Sequence, residues 1–221
     1  MPLLALKRIR MTEIKMNISI PGWNGKEILY KIGTYASQVP ENGVIIELGA
    51  LFGRSTYTLG HSKHPSVKLF TIDLFTKILF KDHEQVGFHD DRTSGLEKAV
   101  MESMVRDNPK RIDGDNMFRL WKAYNHDIPN LFGFRGNTSL IDTAAFPYAD
   151  MIFHDAGHEY NDIYTDLSRW WPRVKQDGIL IIDDYESAFA GMVKGVDQFV
   201  AENDLEIEFL THRNVLLRRK K

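Results

Sequence analysis

Hydrophobic positions along the chain follow two periodicities in turn, which predicts alternating helices and strands. Between residues 26 and 38, apolar side chains recur every three or four positions, as in an amphipathic helix. A short apolar run at 44–48 follows and is typical of a buried strand. The same two patterns recur as a helix beginning at 55–60 and a strand at 67–74. Together these segments predict a β-α-β unit.

The second half of the chain repeats this alternation and ends differently. The last two strand patterns are joined by the short segment 211–214, which predicts a hairpin. The fold class is therefore α/β, a doubly wound, Rossmann-like sheet that is mainly parallel, with one antiparallel strand in the hairpin. Further strands are predicted at 131–135, 149–154, 178–182, 205–210 and 215–218, and further helices at 116–124, 160–171 and 191–202.

The regular pattern is interrupted between residue 75 and about residue 114, where charged and turn-forming residues dominate and one helix is predicted at 95–105. So long an interruption is typical of a functional insertion, and we expect it to form a lid that shapes a substrate site. We expect residues 1–221 to form a single domain, with 1–25 as an N-terminal arm that could reach a second subunit.

Composition narrows the range of ligands. The chain has 28 basic and 30 acidic residues and a net charge of −2, so no overall field attracts nucleic acid or a membrane surface. Small molecules are the expected partners. Cysteine is absent, which excludes disulfides, thiolate metal sites and a cysteine nucleophile. The apolar start of the chain breaks at Lys7, too early for a secretory core or a membrane span, and a cytoplasmic location is expected.

A glycine-containing loop follows the first strand and predicts a pocket for an adenosine-containing molecule. Gly49 and Gly53 allow a tight turn before a helix with free N–H groups, and Asp73 closes the second strand, where an acid can accept both ribose hydroxyls. The dinucleotide pattern G-x-G-x-x-G is absent because Leu51 stands two positions after Gly49, which disfavours a pyrophosphate. Glu47 suits a ligand that carries a cationic amine and a sulfonium.

The predicted cofactor-binding residues extend along this rim of the sheet. For Asn137 and Thr138, a contact with the adenine edge and a role as a turn or cap residue are both open. The glycine pair alone could be ordinary turn glycines. Glu47 could then be a surface acid and Asp73 a helix cap. The full predicted set is Glu47, Gly49, Ala50, Gly53, Ser55, Asp73, Asn137, Thr138 and Asp155.

Three carboxylates end two later strands and predict a metal site. Asp155 follows the strand at 149–154, and Asp183 and Asp184 follow the strand at 178–182. Carboxylates held this close raise one another's pKa unless a cation neutralises them, and oxygen ligands favour a hard ion such as Mg²⁺. His158 lies three residues beyond Asp155 and could act as a base. Taken separately, each of these residues could instead be a cap or turn residue.

These residues resemble the class I S-adenosylmethionine-dependent methyltransferases, in particular the metal-dependent O-methyltransferase branch that includes catechol, caffeoyl-CoA and macrocin O-methyltransferases. Glu47 to Gly53 is similar to the family's first cofactor motif, Asp73 to its ribose-binding acid, and Asp155, Asp183 and Asp184 to its metal ligands. The resemblance covers roughly residues 26–218 outside the insertion and implies a seven-stranded sheet. Catechol-type members carry a lysine base where this chain has His158.

The resemblance implies metal-assisted transfer of a methyl group from S-adenosylmethionine to a hydroxyl of a small molecule, such as a sugar, a polyketide or another secondary metabolite. Asp155 and His158 would be the catalytic residues. Two alternatives remain open from the sequence. A nicotinamide-dependent oxidoreductase could use a similar sheet, although G-x-G-x-x-G is absent, and a non-catalytic protein could bind S-adenosylmethionine without transferring its methyl group.

Overall fold

The computed structural model describes residues 13–75 and 114–220, which contain five α-helices and seven strands. The predicted insertion, including the helix at 95–105, lies outside the described residues. The elements in chain order are α1 (Lys26–Gln38), β1 (Val44–Leu48), α2 (Arg54–Ser62), β2 (Lys68–Asp73), α3 (Gly114–Tyr124), β3 (Leu131–Arg135), β4 (Ala149–His154), α4 (Tyr160–Trp170), β5 (Val174–Ile182), α5 (Ala190–Glu202), β6 (Leu205–Phe209) and β7 (Val215–Arg219).

The seven strands form one sheet in the order β3-β2-β1-β4-β5-β7-β6. Pairing is parallel from β3 through β5, whereas β7 runs antiparallel to both of its neighbours. This confirms the Rossmann-like fold class and the hairpin that was predicted for the last two strands. The chain leaves β1 towards β2 on one side and later returns to β4 on the other, which makes the gap between β1 and β4 a topological switch point, where α/β sheets bind their ligands.

Helices cover both faces of the sheet because strand side chains alternate between them. Ile45 of β1 packs under α1 with Leu29 and Ile32. Its neighbour Ile46 points the opposite way and packs with Leu167 and other residues of α4 and α5. All five side chains are fully buried. The two apolar layers fix the sheet between the helices and hold the carboxyl ends of the strands in place.

The strand predicted at 178–182 begins earlier than expected, at Val174. The polar residues Lys175, Gln176 and Asp177 hide this extension, because they lie on an exposed part of the strand where no apolar pattern is required. The helix predicted to end at residue 171 ends at Trp170, where a short 3₁₀ turn containing Pro172 takes over.

The described part of the N-terminal arm, residues 13–25, packs on the chain's own domain. Ile20 is fully buried in a cluster with Phe52 and Trp121, and the side chain of Ile14 lies against Gly33 of α1. A contact of the arm with a second subunit stays a prediction. None of the described helices has the length and apolar character needed to cross a membrane.

Candidate functional site

The loop after β1 and the end of β4 meet at the switch point of the sheet. Backbone hydrogen bonds continue across this rim, from Gly49 N to Ile72 O at 2.9 Å and from Asp155 N to Leu48 O at 2.7 Å. The predicted cofactor loop and the first predicted metal ligand are therefore adjacent segments of backbone.

Gly49 is required at this junction. Its φ is +85°, and a Cβ built on it would lie 1.9 Å from the carbonyl oxygen of Asp155. Gly53 ends the loop with a φ of +94° and precedes the first turn of α2, and a Cβ there would lie 2.1 Å from the side-chain nitrogen of Asn125. Only glycine combines a left-handed backbone with so close an approach. The two glycines thus bring the start of α2 to the rim.

Asp73 holds the shape of this loop. One carboxylate oxygen accepts hydrogen bonds from Ala50 N at 2.7 Å and Leu51 N at 2.9 Å, and the other accepts one from Phe75 N. Leu51 has a φ of +52°, a conformation that a side chain disfavours and that these bonds help to maintain. Asp73 lies where the sequence predicted it, at the loop, and its contact with a ribose stays a prediction.

Glu47 lies beneath the loop and is fully buried, so the alternative reading of a surface acid is wrong. Its Oε2 accepts hydrogen bonds from the hydroxyls of Thr56 in α2 at 2.6 Å and Thr71 in β2 at 2.8 Å. Burial raises the pKa of Glu47 to about 7, although hydrogen bonds from Thr56, Ser55 and Thr71 lower it in part. Glu47 therefore joins α2 to the sheet below the predicted cofactor.

Asn137 and Thr138 follow β3, and both side chains form hydrogen bonds within the protein. The Thr138 hydroxyl donates to Asp166 of α4 at 2.7 Å, in a buried network, and the Asn137 side chain accepts a hydrogen bond from Ser139 N at 2.8 Å. The Thr138 hydroxyl is thus committed to the interior, and Asn137 stabilises the turn. A cofactor contact from either residue stays a prediction.

The three predicted metal-ligating carboxylates are brought together, with a change in their grouping. Single ligand atoms of Asp155, His158 and Asp184 all lie within 4.8 Å of one another. Asp183 faces inward beside them, where it accepts hydrogen bonds from Asn24 at 2.6 Å, from the backbone N–H of Asp184 at 2.8 Å and from Asn214. The compact group therefore contains a nitrogen ligand that the sequence assigned to the base.

Asp184 adopts a strained backbone. Its φ is +58°, in the left-handed region that non-glycine residues rarely occupy. Its carboxylate lies 3.0 Å from Nε2 of His158 and also contacts the guanidinium of Arg213, in the turn between β6 and β7. Strain of this kind persists where the surroundings impose it and clusters at functional sites. Here it directs the carboxylate towards His158.

The acids of this centre differ in electrostatic environment. Burial raises the pKa of Asp155 well above its ordinary value, and the charges of Asp183 and Asp184 add to the effect. Burial, and next the charge of Asp184, raise the pKa of Asp183 to about 6. Burial also acts upward on Asp184, but its contacts with His158 and Arg213 outweigh it, so its pKa lies below the ordinary value. A cation beside Asp155 would relieve an unfavourable concentration of negative charge.

His158 is partly exposed, with about a third of its side chain accessible, and its ring stacks on Phe189 with centroids 4.6 Å apart. The stack and the contact with Asp184 fix the imidazole on the rim. One of its nitrogens therefore lies among the carboxylates, and its open side is accessible from solvent.

Sequence reasoning missed four residues that organise the site: Asn24, Arg54, Arg213 and Asn214. Asn24 lies just before α1 and Asn214 lies in the turn between β6 and β7, and both donate to Asp183. No local pattern marks them, because each stands in an ordinary turn sequence and only the sheet order brings them together. Arg54 carried a signal: a cation at the start of a helix is unfavourable and suggests a separate role.

The family described as methyltransferase domain matches residues 46–185, which include the glycine loop, Asp73, Asp155, Asp183 and Asp184. No curated protein matches the chain in sequence.

Solved structures share the fold at low sequence identity. The O-methyltransferase NovP is 20% identical with a TM-score of 0.62, and the match covers 88% of this chain and 80% of NovP. The calicheamicin methyltransferase CalS11 is 17% identical with a TM-score of 0.54, covering 88% of this chain and 78% of CalS11. PaMTH1, a methyltransferase of Podospora anserina whose structure contains SAH, is 13% identical with a TM-score of 0.56, covering 90% and 80%.

The matched family segment spans well over half of the chain and contains both the glycine loop and the carboxylates. The sheet order, with its reversed strand, agrees with the methyltransferase structures. The chain belongs to the methyltransferase domain family and is an S-adenosylmethionine-dependent methyltransferase.

Proposed function

We propose that the protein is an O-methyltransferase that transfers the methyl group of S-adenosylmethionine to a hydroxyl of a small molecule, with a divalent cation held by Asp155, Asp183 and Asp184. The observation that carries the proposal is the contact between Gly49 and the backbone carbonyl of Asp155. It makes the methyl-donor loop and the carboxylate centre neighbours, as a two-part transfer site requires.

The chemistry of the donor set supports a divalent cation. Asp155, His158 and Asp184 offer two carboxylates and an imidazole within a span of 4.8 Å, and Asp183 adds a further buried carboxylate. The carboxylate oxygens of Asp155, Asp183 and Asp184 suit Mg²⁺ or Mn²⁺, and the imidazole of His158 beside them stays outside the ligand set as the base. The raised pKa of Asp155, caused by burial and by Asp183 and Asp184, fits a site whose charge a cation balances.

The chain's own residues take up the proton and align the reacting atoms. A cation held here supplies Lewis acidity that lowers the pKa of an acceptor hydroxyl. His158, whose imidazole lies 3.0 Å from Asp184, takes the hydroxyl proton, and Asp184 stabilises the imidazolium that forms. The acceptor oxygen then bonds to the methyl carbon as the bond from carbon to sulfur breaks, which leaves neutral S-adenosylhomocysteine. The glycine loop aligns sulfur, carbon and oxygen.

The acceptor class rests on the fold neighbours. CalS11 is described as a TDP-rhamnose 3'-O-methyltransferase, and the match with it has a TM-score of 0.53 at 16% identity. NovP is described as an O-methyltransferase. We propose a hydroxylated sugar, polyketide or other secondary metabolite as the acceptor. The family match favours methyl transfer over the hydride transfer of a nicotinamide-dependent oxidoreductase.

A turnover screen tests the proposal. Hydroxylated metabolites are incubated with the protein and S-adenosylmethionine, with Mg²⁺ or Mn²⁺ or with a chelator, and products are identified by mass spectrometry. We expect a gain of one methyl group on oxygen that the chelator abolishes and that added metal restores. Methylation that the chelator leaves unchanged would refute the role of the cation, and methylation of nitrogen or carbon would refute O-transfer.

Two variants separate the halves of the site. Asp155→Ala should abolish turnover and weaken metal binding, whereas Asp177→Ala changes an exposed acid on β5 and should alter neither. Calorimetric titration measures the affinity for S-adenosylmethionine of the wild-type protein and of both variants. If the wild-type protein binds S-adenosylmethionine but methylates no acceptor under any metal condition, a non-catalytic binding protein is the better description.

A further inference from the structure

Asn24 joins the two buried carboxylates of the centre. Its side-chain nitrogen lies 3.0 Å from Oδ2 of Asp155 and 2.6 Å from Oδ2 of Asp183, and Asn24 is only 7% exposed. An amide nitrogen carries two hydrogens, and a carboxylate only accepts, so one amide can donate to both acids at once. Asn24 thus fixes the relative orientation of two like-charged groups at the ends of different strands.

The side chain of Asn24 does not cap α1, the helix that follows it. Asparagine next to a helix start commonly caps it, but α1 has Gly25 as its N-cap residue and receives no side-chain cap. Asn24 instead turns towards the sheet, where it meets Asp155 and Asp183. Its position therefore reflects the carboxylate centre and not the stability of α1.

Arg54 holds the segment that delivers Asn24. It is 3% exposed, and its guanidinium donates to the carbonyl oxygens of Ile20 at 2.7 Å and Asn24 at 3.0 Å. Arg54 immediately follows Gly53, the last residue of the glycine loop. The loop that binds the methyl donor and the amide that orients the acids are thus connected through one buried side chain.

We propose that Asn24 is a positioning residue of the transfer site, which orients Asp155 and Asp183 for a divalent cation and which Arg54 couples to the methyl-donor loop. This inference rests on the proposed function, since it assumes a cation at the carboxylates. Groups that hydrogen-bond to metal ligands commonly change metal affinity by 10- to 100-fold when removed.

The test measures Mn²⁺ binding directly, without turnover. Mn²⁺ is titrated into the wild-type protein and into Asn24→Ala, and the free ion is followed by electron paramagnetic resonance. We expect Asn24→Ala to weaken Mn²⁺ binding about tenfold or more. Asn17→Ala is the matched control, because Asn17 lies in the same segment and bonds only to Ser19 among the described side chains; it should bind Mn²⁺ as the wild type does.

A second control separates positioning from general loss of stability. Val196→Ala removes buried apolar contacts in α5, on the other face of the sheet, and should lower the unfolding midpoint without changing Mn²⁺ affinity. Equal Mn²⁺ affinity of the wild type and Asn24→Ala would overturn the inference and leave the proposed function intact. If the wild type itself binds no Mn²⁺ or Mg²⁺, the cation half of the proposed function fails and the inference fails with it.

Discussion

The imidazole Nε2 of His154 lies 3.0 Å from the carboxylate of Asp166, and both side chains are almost completely removed from solvent. Asp166 also accepts hydrogen bonds from the hydroxyls of Thr138 and Ser139. Because His154 immediately precedes Asp155, this buried network supports the end of β4 from below and ties it to α4 and to the loop after β3.

Asp166→Ala should destabilise the protein strongly. The change leaves His154 and two hydroxyls without their acceptor, and breaking a buried pair from one side costs about 3–5 kcal/mol. Urea denaturation at neutral pH measures the loss. Ser139→Ala removes a single hydrogen bond and should cost about 1 kcal/mol. Similar losses for the two variants would show that the network is not the support described above.

Glu47 should make stability depend on pH. Its pKa rises from 4.5 to about 7 in the folded protein, so the folded state holds this proton more tightly than the unfolded state. The stability gained from that proton is complete below pH 4.5 and is lost as the pH rises through about 7. Glu47→Gln removes the effect, so the unfolding free energy of the variant minus that of the wild type should rise by about 3 kcal/mol between pH 4.5 and 8.

Asp155 and Asp183 also have raised pKa values from burial and from neighbouring acids, so the wild type should lose stability in the same direction for more than one reason. The comparison with Glu47→Gln isolates one group. Glu206→Gln, at an exposed position on β6, is the control and should follow the wild-type profile. A pH profile of Glu47→Gln parallel to that of the wild type would contradict burial as the cause.

Gly49→Ala should disrupt the junction between the loop and β4. The new methyl group would collide with the backbone carbonyl of Asp155, which no side-chain rotation can relieve, and the left-handed φ adds strain. We expect a loss of about 2–5 kcal/mol. Gly136→Ala is the control, because a Cβ there would meet only the side chain of Ile141, at 3.3 Å. Thermal unfolding of both variants decides whether the close approach, and not glycine content, sets the requirement.

Asp73→Asn should weaken binding of S-adenosylmethionine. The amide retains one acceptor oxygen, so it cannot satisfy Ala50, Leu51 and Phe75 as the carboxylate does, and the loop loses a defined shape. A lost hydrogen bond to a charged group corresponds to about a tenfold fall in affinity or more. Calorimetry measures it, with Asp142→Asn, which changes the cap of a 3₁₀ turn, as the control. Unchanged affinity would show that the loop holds its shape without Asp73.

Sequence reasoning predicted the sheet because periodicity is local. The apolar run of β1 and the amphipathic stripe of α1 each stand within a few residues, and their alternation determines the fold class. The short connection at 211–214 likewise predicted the antiparallel hairpin. The early start of β5 was missed because Lys175, Gln176 and Asp177, which follow Val174, are exposed and carry no apolar signal.

The environment of the site residues was harder to predict. The sequence shows that residue 47 is a glutamate but not whether its side chain is exposed or buried. Its burial depends on how α2 packs on the sheet. For Thr138 a cofactor contact and a turn or cap role were both open, and its hydrogen bond to Asp166 could not be predicted because it depends on where α4 packs. Contacts between distant segments, such as those of Asn24, depend on strand order and leave no local trace.

The side-chain donors to Asp183 are Asn24 and Asn214, and six of the seven strands lie between these two residues in the chain. Both contacts span long stretches of sequence, and contacts of this kind form only after the intervening chain has collapsed. The carboxylate centre can therefore be completed only at a late stage of folding. During synthesis on the ribosome, the glycine loop would therefore form well before the carboxylate centre beside it acquires a defined geometry.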